Sequence, residues 1–154
     1  MDTPAHQLLL VEDDRDDVIF LRRAFRQVGS PVPVQTAHDG DQAIAYLSRA
    51  GPYGDRARYP EPTHVLLDLK LPRRSGLEVL EWMRRQPGPL AAMPAAILSS
   101  SGQTPDRERA RILGADHYWT KPVSFEALQR VAVEIVAWIT SPRGPGADSA
   151  IFPG

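Results

Sequence analysis

Carboxylates stand in this chain at positions where a carboxylate is costly. Glu12 and Asp13 close the apolar run "QLLLVED", and Asp68 interrupts "HVLLDLKLP", a stretch otherwise fit for a buried strand. A lone acid in such a run is unfavourable unless it is hydrogen-bonded, paired or bound to a cation. Two further runs end in chemistry of another kind: "PAAILS" closes on Ser99-Ser100-Ser101, and "ADHYW" is followed by Lys121-Pro122. Acids brought close together raise their pKa values or bind a cation. A hard divalent ion suits oxygen ligands, and Mg²⁺ commonly takes one or two carboxylates while keeping positions for water and phosphate oxygens. The chain has no cysteine and no close pair of histidines, which excludes thiol catalysis and argues against a soft transition-metal site. His6, His38, His64 and His117 lie singly and are expected in surface or loop positions.

These groups can meet only if the runs that carry them lie side by side. Five short apolar runs recur: Gln7–Glu12, Pro33–Ala37, His64–Asp68, Pro94–Ser99 and Ala115–Trp119. The first, third and fourth are nearly continuous in apolar character, as strands covered on both faces of a parallel sheet are. Between them, Val18, Leu21, Phe25 and Val28 fall at helical spacing, and Ala43, Ile44 and Leu47 mark a shorter second helix. Ser75-Gly-Leu-Glu78 reads as a capping box opening a third helix with Leu77, Leu80 and Met83. Thr104-Pro105-Asp106 offers a cap, a first-turn proline and an acid to a fourth, and Ser124 precedes a fifth running through Phe125, Leu128, Ile135 and Ile139. Asp14, Asp16 and Asp17 read as the solvated acidic start of the first helix, where the helix dipole favours them.

Strands alternating with helices argue for right-handed βαβ units and an open parallel α/β sheet. Ligands of such sheets bind beyond the carboxyl ends of the strands. Glu12, Asp13, Asp68, Ser99 and Lys121 all stand at or just past those ends, so three acids, a hydroxyl and an ammonium are expected on one rim.

Composition sets the remaining bounds. The chain has 154 residues, 42% of them apolar, which suits one domain with a single core. A net charge of −1 provides no basic field for nucleic acid or an anionic membrane, and no segment approaches the length of an apolar membrane span. A cytoplasmic protein without nucleic-acid or membrane partners is expected. Residues 1–140 form the expected domain. Gly51–Thr63 reads as a surface insertion, and Ser141–Gly154, with six Pro or Gly among its fourteen residues, as a tail without an independent fold. Trp82, Trp119 and Trp138 are expected to pack. The last helix is apolar beyond one narrow stripe, through Val131, Val133, Val136 and Trp138, which predicts a homodimer through this region.

Taken together, "LLLVEDD", "HVLLDLKLP", "AAILSSS" and "YWTKP" resemble the receiver domain of two-component response regulators. The motifs stand in the family's order, with 55 residues from Asp13 to Asp68, 31 to Ser99 and 22 more to Lys121. The resemblance implies a flavodoxin-like, doubly wound, five-stranded parallel sheet of strand order 2-1-3-4-5 with five helices. It implies that Asp68 accepts a phosphoryl group from a sensor histidine kinase. Glu12, Asp13, Asp68 and the backbone carbonyl of Lys70 would then organise Mg²⁺, with Glu12 acting through water. Ser99 and Lys121 would contact the phosphoryl group, and Tyr118 would turn inward as Ser99 moves. A cis bond before Pro122 would aim Lys121 at the site.

The loop at Gly51–Thr63 and the long last helix resemble single-domain regulators paired with cyanobacterial phytochromes and bacteriophytochromes. The segment past residue 140 is too short for a helix-turn-helix or an enzymatic output domain. Signalling is therefore expected through protein contact, dimer change or phosphorelay. Two other readings compete. A haloacid-dehalogenase-like Mg²⁺-dependent phosphatase also uses an aspartate nucleophile, but it resembles a DxDxT pattern, and Lys70 stands where its second acid belongs. A docking module that is never phosphorylated would not need Asp13, Asp68 and Lys121 together.

Overall fold

The structure, a computed structural model, describes residues 5–141. The tail expected over Ser141–Gly154 lies, beyond its first residue, outside the described residues. Five parallel strands, β1 (Leu8–Val11), β2 (Val34–Ala37), β3 (His64–Leu67), β4 (Ala95–Ser99) and β5 (His117–Thr120), form one sheet in the order β2-β1-β3-β4-β5. They alternate with α1 (Arg15–Gln27), α2 (Gly40–Leu47), α3 (Gly76–Arg85), α4 (Thr104–Ile112) and α5 (Phe125–Thr140). This is the flavodoxin-like architecture that the motifs implied.

Alternation along the strands divides the core into two layers. Leu9, Val11, Val65, Leu67, Ala95 and Ile97 face α2, α3 and α4, while Leu8, Leu10, Leu66, Ala96 and Leu98 face α1 and α5. Residues of β1, β3 and β4 are buried on both faces, which explains their continuous apolar character. Burying each such aliphatic side chain contributes about 1.5–3 kcal/mol, so the middle of the sheet holds a rigid frame for its rims.

Strand ends differ from expectation in an informative way. Glu12 and Asp68 fall one residue beyond β1 and β3, yet their N–H groups still donate to Ala37 and Val11 carbonyls at 2.9 and 3.0 Å. Each acid therefore takes the last rung of the ladder and turns its side chain onto the rim. The fifth strand begins at His117, two residues later than its apolar run suggested.

Helix ends follow the local chemistry. Asp14 caps α1 by accepting from the N–H groups of Asp16 and Asp17, the Ser75–Glu78 capping box opens α3, and Ser124 accepts from Ala127 to open α5. The expected cap at Thr104 is corrected: Gln103 is the N-cap and bonds with no side chain, because the helical ladder already starts at Gln103 O, 3.2 Å from Arg107 N. Gly76 has a steric reason. A Cβ there would come within 2.1 Å of the Asp68 carbonyl, so only glycine lets α3 start against the end of β3.

The Gly51–Thr63 insertion lies at the surface as expected, and its rings pack on α2: Tyr53 and Tyr59 stand 5.1 and 6.0 Å from the ring of Tyr46, whose hydroxyl donates to Pro60 O at 2.8 Å. One further expectation changes. Three histidines do not stand singly. At the amino end of the sheet His64 is buried, its ring 4.9 Å from Trp138 and 5.9 Å from His6, and His117 stacks on Trp119 at 4.8 Å. Side chains far apart in sequence meet there because α5 lays Trp138 against His64 of β3 and against His117 and Trp119 of β5. The three tryptophans pack as expected, Trp119 and Trp138 in this group and Trp82 against the core layer under α3.

Candidate functional site

At the carboxyl ends of β1, β3 and β5, three elements present charged side chains to one point. Glu12 and Asp68 are buried, Asp13 is exposed, and one oxygen from each lies within 4.8 Å of the others. Lys121, just past β5, reaches into this group. Its Nζ stands 2.5 Å from Glu12 Oε1 and 2.7 Å from Asp68 Oδ2. Every expected acid and the expected cation are therefore together.

Backbone groups fix their orientation. The Lys70 N–H donates to Asp68 Oδ1 at 3.1 Å, and the Asp14 N–H donates to Glu12 Oε2 at 3.2 Å. Lys121 N donates to Ser99 O at 2.8 Å, tying the lysine to the end of β4. No cis peptide bond occurs among the described residues. The inward aim of Lys121 thus needs no cis bond before Pro122, which corrects that expectation.

The electrostatics follow from burial and crowding. Burial, helped by the neighbouring Asp68 charge, pushes the Glu12 carboxyl up to about 7 against the pull of Lys121 and the Asp14 N–H. Burial alone would lower Lys121, but hydrogen bonds to Asp17, Asp68 and Glu12 outweigh it and hold the ammonium above its ordinary range. With more acids than cations, the site is short of positive charge. The Glu12, Asp13 and Asp68 oxygens, two sets buried and one open to solvent, suit a hard divalent ion that keeps water ligands.

Asp17 was missed by the sequence reading, which placed it on a solvated helix start. Its Oδ2 lies 2.7 Å from Lys121 Nζ, as close as Asp68. The signal was present in the helical register: Asp17 is four residues before Leu21 and continues the inward stripe of Leu21, Ala24 and Phe25 toward the rim. Its acid character hid this. Asp14 and Asp16 do belong to the helix start, one as cap and one in the first turn.

Ser99 is fully buried at the end of β4, and its Oγ accepts from Ser101 N at 3.3 Å. Ser101 donates its own hydroxyl to Asp106 Oδ2 at 2.6 Å, and its carbonyl accepts from the Tyr118 hydroxyl. Tyr118 is already buried, with the Arg107 guanidinium 4.9 Å above its ring, and burial raises its hydroxyl pKa. The expected inward swing from an outward position is therefore not the starting point here; the ring begins inside. Beside Lys121 a groove of about 200 Å³ runs between α1 and α5, lined by Phe20, Leu98, Pro122, Val123, Phe125 and Leu128.

Comparison with known proteins places this geometry. The model of the response regulator receiver domain family matches residues 8–133. The chain is 37% identical over 140 residues to the probable methanogenesis regulatory protein FilR2 of Methanothrix harundinacea, covering 90% of this chain and 87% of that one. Among solved structures, the phosphorylated cyanobacterial phytochrome response regulator RcpA superposes with a TM-score of 0.80 at 30% identity, covering 90% of this chain and 96% of its own. A Mn²⁺-bound form of the response regulator Rcp1 superposes with a TM-score of 0.79 at 27% identity, over 92% of this chain and 99% of that one. Sheet order, rim acids and sequence all lead to one assignment: the chain belongs to the response regulator receiver domain family.

Proposed function

We propose that this receiver domain accepts a phosphoryl group onto Asp68 from the phosphohistidine of a sensor histidine kinase. The observation that carries the reading is the meeting of Asp68 with Lys121 at 2.7 Å beside the Glu12–Asp13–Asp68 oxygen cluster. In the transfer, an Asp68 carboxylate oxygen attacks phosphorus, the nitrogen–phosphorus bond breaks, and the imidazole leaves with the electron pair. The acyl phosphate formed retains the negative oxygens that had to be screened. Lys121 supplies one positive charge at hydrogen-bond range, and electrostatic complementarity of this kind is the main contribution proteins make to phosphoryl transfer.

Glu12, Asp13, Asp68 and the Lys70 carbonyl would hold Mg²⁺, Glu12 through water. The ion would neutralise charge on the phosphoryl oxygens. Ser99 would donate its hydroxyl to the product, and turning toward it would weaken the bond its oxygen now accepts from the Ser101 N–H. Because Tyr118 is bonded to the same Ser101, the ring's hold on the β4–α4 loop would change with it. A local charge event would thus bias a two-state element. Relatives described as phytochrome response regulators favour a phytochrome-type kinase as donor, in the cytoplasm. The exposed Val133 and the partly buried Val131, Val136 and Trp138 on α5 favour a homodimer through that helix.

Incubation with a small phosphodonor and Mg²⁺ tests the acceptor. One acid-stable, base-labile phosphate per chain is expected, and none in Asp68→Asn. Equal labelling of Asp68→Asn would remove Asp68 from the role. Steady hydrolysis of many phosphoesters would favour a phosphatase. Sedimentation that gives a concentration-independent monomer, with and without phosphorylation, would remove the dimer.

A further inference from the structure

An ammonium has three N–H donors, and all three of Lys121 are committed to acids: Glu12 at 2.5 Å, Asp17 at 2.7 Å and Asp68 at 2.7 Å. These acids differ in a decisive respect. Glu12 and Asp68 belong, with Asp13, to the oxygen cluster that can hold a divalent ion, whereas Asp17 does not. A cation held in that cluster would compete with Lys121 for Glu12 and Asp68, and would leave Asp17 as the partner outside the cluster.

Asp17 is also well placed to stay. It sits in the first turn of α1, whose cap Asp14 accepts from the Asp17 N–H at 3.1 Å, so its backbone is fixed. Its side chain is 39% exposed against 6% for Asp68, putting it on the solvent side of the lysine. Resting on the acceptor assignment of Asp68, we propose that Asp17 is a positioning residue: it anchors Lys121 beside Asp68 once a divalent ion has claimed the other two carboxylates, leaving the freed donors for the phosphoryl oxygens. A four-carbon side chain without that anchor would have to be ordered anew at each transfer, and displacement of a charged group from its working position is costly in rate.

The chain has only two lysines, Lys70 and Lys121, so their ammonium resonances are simple to assign. In ¹⁵N-lysine spectra at saturating Mg²⁺, the unaltered protein is expected to keep an exchange-protected Lys121 ammonium signal, and Asp17→Ala to lose it. Labelling by acetyl phosphate at saturating Mg²⁺ is expected to slow about tenfold in Asp17→Ala, less in Asp17→Asn, and to recover in Asp17→Glu. The Mg²⁺ concentration for half-maximal rate is expected to stay within about twofold, since Asp17 is not a ligand of the ion. In a Lys121→Met background, Asp17→Ala is expected to change the residual rate less than about twofold.

A persisting ammonium signal in Asp17→Ala, an unchanged or faster rate, or an equal slowing without the lysine would each overturn the anchor. A higher Mg²⁺ requirement at an unchanged maximal rate would overturn it too, by moving Asp17 to the cation. Failure of the unaltered protein to be labelled at all would overturn the Asp68 assignment instead, so the two failures are distinguishable.

Discussion

The two rims of the sheet are built on the same strands and could hardly differ more. At the amino ends, His6, His64, His117, Trp119 and Trp138 pack ring against ring, and Trp138 Nε1 donates to Asp116 Oδ2 at 3.1 Å. At the carboxyl ends, two buried acids and the partly exposed Asp17 crowd one ammonium. The first arrangement needs no bound ion, because apolar burial and ring contacts, edge-to-face and stacked, stabilise it without one. The second is held in tension: removing the ammonium leaves the acids facing one another, and adding a cation relieves them. The comparison separates a rim whose side chains satisfy one another from a rim with an excess of acids, the one proposed above to bind and react.

That contrast can be broken from either side, and the largest effect is expected at Lys121. Lys121→Met leaves Glu12, Asp17 and Asp68 facing one another without their cation. Loss of one partner from a buried charge cluster costs about 3–5 kcal/mol; with Lys121 and Asp17 partly solvated, about 2 kcal/mol is expected in the metal-free protein. Urea unfolding with and without Mg²⁺ checks this, and Mg²⁺ should restore much of the loss. Equal destabilisation in both conditions would place the damage in packing rather than charge.

Gly76→Ala is expected to be next. The added methyl meets the Asp68 carbonyl at 2.1 Å, and forcing such contacts costs about 1–3 kcal/mol. Here the backbone that carries Asp68, the proposed acceptor, must move, so labelling should fall along with the thermal midpoint. A midpoint change with unaltered labelling would show that the shift is absorbed elsewhere.

The pH dependence has a definite sign. The folded, metal-free Glu12 titrates near 7, above its ordinary 4.5. Between those values the folded chain holds the extra proton, so this group's contribution to stability declines as pH rises through the window and is level above it. Cation binding must displace that proton. Affinity for Mg²⁺ should therefore climb between about pH 5 and 7 and then flatten. Calorimetric titration in buffers of different ionisation enthalpy would detect the released proton; affinity independent of pH would contradict the Glu12 shift.

The smallest effect is expected at the opposite rim. Trp138→Phe keeps a ring but gives up the bond to Asp116, a loss of about 1 kcal/mol. Stability should drop by that much while the labelling rate is unchanged. A changed labelling rate would mean that the two rims are coupled through α5.

How far the sequence discloses this contrast depends on what each rim is made of. The reactive rim is largely legible, because Asp68 in an apolar strand and Lys121 after another are anomalies that a buried sheet must explain. The capping box at Ser75–Glu78 is legible for the same reason: its chemistry is local and complete within four residues. Asp17 is read only in part: it does stand in the first helical turn, and that sufficient local explanation hides its ion pair with Lys121, to which only its register with Leu21 points. The aromatic rim is invisible in sequence because His64 and His117 stand on strands that are not neighbours and meet through Trp138 of α5, a tertiary contact that no spacing encodes. The inward Tyr118 escapes as well. Its rotamer depends on Ser101 and Arg107, one in a loop and one in a helix, and no spacing encodes that meeting.

The central claim, that the charged rim carries a phosphoryl group on Asp68 with a divalent ion beside it, is tested most directly by locating the modification. After treatment with acetyl phosphate, reduction of the acyl phosphate with borohydride and peptide mass spectrometry should find the reduced residue at position 68, and only when Mg²⁺ was present. Modification at another residue, or at Asp68 with equal yield after removal of divalent ions, would contradict the account.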